Sequence, residues 1–206
     1  MARRPFERPI RGLLQAVAGL VALGLVAIPP AAVALSGSAS ADALWTALRI
    51  AALEAFTIIF ANLVTGSFRP FFNRMAKPRT VQRTHTITGA TGFAMAVAHG
   101  VCVLVFGTAG YRPGALWAGP VALAILAAVI ATSLLRTHFR RSWRWTHRLN
   151  YVIFVAVLAH GLILGSDLRS GLFLRVWAGI LTAVVLAGLA YRLAGSGGRR
   201  RTEPKQ

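Results

Sequence analysis

With 206 residues, 56% of them apolar, and a mean hydropathy of +0.62, the chain is too hydrophobic for a soluble domain of its size and reads as an integral membrane protein. Its net charge of +18 invites a nucleic-acid reading, which the placement of the charge excludes: 19 of the 23 Lys and Arg stand in four blocks outside or between apolar runs. The single cysteine, Cys102, sits inside one of those runs, so no internal disulfide is possible.

Six apolar runs, roughly 12–35, 44–66, 86–107, 115–135, 149–165 and 171–193, predict an all-α bundle of six transmembrane helices, most near the ~20 residues that cross a bilayer. The basic blocks precede run one, separate runs two and three, separate runs four and five, and follow run six. The positive-inside rule then places both termini in the cytoplasm. Residues 1–11 are expected to form a basic cytoplasmic N-terminus, 12–193 the membrane domain, and 194–206 a disordered basic tail.

Run one is about 24 residues long, beyond the ~7–15 of a signal-peptide core, and is expected to be a retained helix that Pro29 and Pro30 kink or end. Run two carries Arg49 and Glu54, both costly at membrane depth. They are expected to pair with each other or with neighbouring helices, or Arg49 meets a cofactor carboxylate. The following SFRPFFNRMAKPRTVQR, with prolines at 70 and 78, reads as a basic, aromatic cytoplasmic loop suited to anionic lipid or a redox partner.

Run three has His85 at its entrance and His99 well inside, with Gly89, Gly92 and Ala96 thinning the helix so that another helix, or a flat ring, approaches closely. Run four has no charge between Trp117 and Leu135 and serves as a spacer, so runs three and five point the same way. His138, in the basic THFRRSWRW, reads as a solvated loop residue. Run five repeats the arrangement of run three, with His147 at the entrance and His160 inside. Of the outer-face arginines, Arg112 and Arg169 read as loop residues, whereas Arg49 and Arg175 lie just inside their spans and are the candidates to meet cofactor carboxylates.

His85 and His99 are fourteen residues apart, His147 and His160 thirteen, so both intervals separate the side chains by roughly 20 Å along a helix. Two parallel helices so spaced can clamp two flat macrocycles, His85 with His147 and His99 with His160, each iron taking one imidazole from either side. Zinc would need its ligands together, and a proton path usually recruits intramembrane carboxylates. The angular match is imperfect: at about 100° per residue thirteen steps miss four whole turns by about 140°, so run five needs a frayed first turn or a π-bulge. A histidine-containing transporter or proton channel, and a structural anchor for a partner enzyme, remain the alternatives.

The stretches RTHTITGATGFAMAVAHG and WTHRLNYVIFVAVLAHG, on six predicted spans, resemble the ferric reductase-like transmembrane domain shared by ferric reductases, NADPH oxidases and the haem-binding membrane subunit of bacterial protein-methionine-sulfoxide reductase, the last being closest in length. The resemblance implies that His85, His99, His147 and His160 are the axial ligands of two b-type haems in a bacterial inner membrane protein. It also implies that electrons pass from a cytoplasmic flavoprotein or membrane quinol to an outer-face acceptor, either a metal ion or a periplasmic reductase. The chain would then be an oxidoreductase membrane subunit lacking its own flavin and nicotinamide domain, with any flavin or quinone supplied by a partner.

Overall fold

The structure, a computed structural model, describes residues 7–35, 43–106, 113–139 and 142–200. These form helices only: α1 (Glu7–Leu35), α2 (Ala43–Ser67), α3 (Arg69–Met75), α4 (Pro78–Phe106), α5 (Pro113–Leu116), α6 (Ala118–Leu134), α7 (Trp143–Arg148), α8 (Asn150–Leu164), α9 (Ser166–Ser170) and α10 (Leu172–Arg200). In hydrocarbon a helix satisfies every backbone polar group within its own segment, so apolar runs of this length settle as helices. Five segments have the length and apolarity to cross a membrane: Ile10–Leu35, Ala43–Ser67, Pro78–Val105, Trp143–Leu164 and Leu172–Ala194. The fourth apolar run gives the shorter α6, whose 17 residues reach about 25 Å, below the ~30 Å hydrocarbon core.

The bundle is built around α2, which packs against α1, α4, α8 and α10. Leu53, Phe56, Phe60 and Leu63 of α2 are buried with Phe154 of α8 and Trp177, Leu181 and Val185 of α10. Phe56 stacks on Phe154 at 5.1 Å between ring centroids and meets Trp177 edge-on at 6.0 Å. Close approach of α4 to α2 depends on missing side chains. A Cβ at Gly89 would lie 3.1 Å from Asn62 Nδ2, and one at Gly92 3.2 Å from Ile59 Cγ1. At these two positions it is the neighbouring helix that uses the thinned face of run three.

Two prolines act differently from the sequence expectation. The segment after run two is not a loop: Pro70 stands in the first turn of α3 and Pro78 is the first residue of α4, positions where a missing N–H costs nothing. The C-terminus of α3 is tied to the base of α1, where Arg11 Nε and Gln15 Nε2 both donate to the Met75 carbonyl at 2.7 and 2.6 Å. Pro29 and Pro30 do not end α1, which continues to Leu35 with Pro29 fully buried. At the other end α10 stays helical through Arg200, past the limit of its apolar run at residue 193.

Candidate functional site

His85 on α4 and His147 on α7 come together with ring centroids 5.8 Å apart and planes inclined by 67°. His85 Nδ1 lies 3.2 Å from the backbone oxygen of Asn62. A carbonyl only accepts, so Nδ1 carries the hydrogen and Nε2 is the nitrogen left with a lone pair, an arrangement that fixes the orientation of a ligating imidazole. The Asn62 side chain donates in turn to the His85 carbonyl and to Thr88 Oγ1, fixing this turn of α4 against α2. Gly66 makes room for the ring, since a Cβ there would stand 3.3 Å from His85 Cε1. His147 Nδ1 is 3.5 Å from both Ser133 Oγ and Asn150 Nδ2, and Trp143 flanks its ring at 5.9 Å.

His99 on α4 and His160 on α8 line one cavity of about 630 Å³, bounded by α2, α4, α6, α8 and α9. The volume falls in the ~300–1,000 Å³ range of sites for small molecules and cofactors. The wall is mostly apolar, and His99 Nδ1 is buried in it with no hydrogen-bond partner among the described residues. The His160 ring rests on Gly119 of α6, where a Cβ would be 3.0 Å from Cε1. The polar part of the wall is an ion pair in which Arg49 grips Asp167 with two bonds, Nε to Oδ2 at 2.9 Å and a second from the terminal nitrogen to Oδ1.

Run five divides at Leu149, which takes up part of its angular mismatch. Leu149 separates α7 from α8, and its N–H bonds back three residues to Thr146 at 3.0 Å, as Trp145 does to Ser142 at 2.9 Å. Such 3₁₀-type turns advance about 120° per residue instead of about 100°. Only the turn at Leu149 lies between His147 and His160; it adds rotation in the needed direction, by about 20° per residue against a deficit of about 140°. His147 therefore lies on a separate short helix, neither frayed nor preceding a π-bulge, and the described residues contain no π-helix.

Among the described residues, Arg49 is the only one of the outer-face arginines that lines this cavity. Arg175 and Arg169 are exposed at the surface of α10 and α9, and Arg112 lies outside the described residues. His138 is exposed beyond α6, 3.4 Å from Thr137 Oγ1. Asp167 and Gly119 were not visible as site residues in the sequence, one lying in a connection and the other beside a proline. Glu54 is buried in α2 away from the cavity lining.

His85 and His147 meet as a pair, and His99 and His160 line one cavity, so each site offers two imidazoles. That is the number a haem iron takes at its axial positions and fewer than the three or four protein ligands of a zinc site. With metal–imidazole bonds of about 2 Å, each ring centre stands roughly 3 Å from the metal, so a bis-imidazole site places the centroids about 6 Å apart, close to the separation of His85 and His147. The separation of His85 and His147, and the cavity lined by His99 and His160, are compatible with such a group. No protein-family model matches the chain, and no curated protein matches it significantly.

Proposed function

We propose that the chain is a di-haem b electron-transfer protein of the ferric reductase-like kind. In this reading six spans lie in a bacterial plasma membrane with both termini cytoplasmic. The observation that carries it is the doubling of the site: α4 and the α7–α8 segment supply one imidazole each at two levels, His85 with His147 and His99 with His160. Haem bound there supplies one-electron transfer across the bilayer. The residues hold and orient. Asn62 fixes the tautomer of His85, leaving Nε2 to ligate, while Ser133 and Asn150 stand at Nδ1 of His147. Mostly apolar walls around His99 and His160 would lower the polarity of the outer site. A haem held by two histidines would favour outer-sphere transfer, from a cytoplasmic flavoprotein or quinol to an outer-face metal ion or reductase.

The test is a reduced-minus-oxidised spectrum with haem quantified per polypeptide for the wild type and the four histidine-to-alanine variants. His99→Ala and His160→Ala are expected to lose one spectral component, His85→Ala and His147→Ala the other. Wild-type protein without haem would leave the channel or anchor reading in its place. Loss of different components by the two members of one pair would break the pairing.

A further inference from the structure

The basic block between runs two and three gathers three of its cations in one open cleft. Arg69 of α3 and Arg79, Gln82 and Arg83 of α4 line it around Pro78, and all three arginines are exposed. None of the three makes a hydrogen bond or an ion pair among the described residues. Of the acidic side chains described, Asp167 is held by Arg49 and Glu54 is buried halfway along α2. The cleft therefore carries net positive charge and no described counter-charge.

Local energetics alone would not put the charges here. Arg69 is the first residue of α3 and Arg79 the second of α4, so both stand at the positive end of a helix dipole. Arg79 and Arg83 are four residues apart on one face of α4, the spacing at which like charges repel. The positive-inside rule asks only for basic residues at this end of the span. Arg74 and Lys77, exposed outside the cleft, answer it equally well. Charges that oppose their own helices mark a place where a ligand supplies the compensation.

The cleft has an apolar continuation that says which ligand. Beyond Arg79 and Arg83 the same face of α4 carries Ile87, Ala90, Ala94 and Ala98 at steps of three and four residues, all of them exposed. The apolar segment of α4 that is long enough to cross a membrane begins at Pro78, so the arginines stand at headgroup level and the stripe runs along the hydrocarbon. Guanidinium groups take phosphate oxygens through paired N–H bonds and keep their charge while doing so. A free phosphate would use the arginines alone, whereas a lipid uses the cleft and the stripe together.

We propose that Arg69, Arg79 and Arg83 bind the phosphate headgroup of an anionic phospholipid, with an acyl chain lying along the Ile87–Ala98 stripe of α4. One shared anion then ties α3 to the start of α4 and relieves the repulsion between Arg79 and Arg83. The site does not depend on the di-haem reading.

The experiment is thermal unfolding of the full chain in neutral detergent, with phosphatidylglycerol, phosphatidylcholine or inorganic phosphate added at one concentration. Phosphatidylglycerol is expected to raise the midpoint and the other two to leave it unmoved. Arg79→Gln/Arg83→Gln is expected to abolish that shift without lowering the lipid-free midpoint, a combination that a merely structural role for these arginines does not give. Arg74→Gln/Lys77→Gln removes the same charge outside the cleft and is expected to keep the shift. Arg79→Lys/Arg83→Lys keeps the charge without the paired geometry and is expected to reduce the shift; it decides against wild type if the glutamine variant does not fold. A full shift in the variant that decides, a shift lost equally in the Arg74 and Lys77 variant, or an equal shift with phosphatidylcholine overturns the proposal. A shift with inorganic phosphate as large as that with phosphatidylglycerol overturns the lipid assignment in favour of a soluble phosphate.

Discussion

Gly119→Ala is the most discriminating substitution in the outer site, because two opposed effects have known sizes. In the first turn of α6 alanine is the better helix former, by about 0.5–1 kcal/mol. Its methyl, however, would stand 3.0 Å from Cε1 and 3.4 Å from Nε2 of His160, where ordinary contact begins at 3.4 Å. The ring must retreat by about 0.4 Å, twice the ~0.2 Å tolerance of a metal–ligand distance. The cavity on its far side lets the ring move, so the fold is expected to keep its stability or gain slightly. Restoring the ligating position against the methyl costs about 1–3 kcal/mol, the range for overpacking, which weakens haem retention at this level by about 5- to 150-fold. The assay titrates haem into apo-protein and follows the two spectral components, with thermal unfolding in parallel. Gly114→Ala, where a Cβ would meet nothing within 4 Å, is the control. Wild-type retention of the outer component in Gly119→Ala would show that His160 does not need its observed position to bind.

The same reasoning applies at the inner level, where Gly66→Val crowds His85 from 3.3 Å and is expected to weaken the inner component while sparing the outer one. Phe154→Ala empties a fully buried position stacked on Phe56. A loss of about 3 kcal/mol should lower the unfolding midpoint in detergent by roughly 6–12 °C, and an unchanged midpoint would mean that this contact is not part of the core. Reporter fusions at Lys77 and after Arg200 should both report the cytoplasm, where the positive-inside rule would place these basic blocks; periplasmic activity from either inverts the proposed topology.

The histidine pairs were legible because two signals agreed: matched spacings in runs three and five, and a single span between them that makes the runs parallel. Spacing also exposed the angular deficit in run five, though only the structure shows that the run divides at Leu149, whose 3₁₀-type bond takes up part of it. Asp167 was hidden because its role is set by a contact across 118 residues, and a lone carboxylate in a connection has no local signature. The α3–α4 region was misread because proline breaks a helix in its interior but starts one at the first turn. The sequence around Pro70 and Pro78 does not say which. Gly119 was invisible for a related reason: beside Pro120 it looks like a turn, and only the neighbouring imidazole reveals why nothing larger stands there.

The ion pair between Arg49 and Asp167 also orders events during synthesis. At about 5–20 residues per second, the 118 residues between them take roughly 6–24 s to make, so α2 enters the bilayer well before its counter-charge exists. An arginine at the centre of a helix adds about 2.5–3.5 kcal/mol to insertion, a load that the otherwise apolar α2 carries with its long side chain reaching toward the outer headgroups. The guanidinium can meet its carboxylate only once α9 has been made, so this tie between α2 and α9 is among the contacts that must form late.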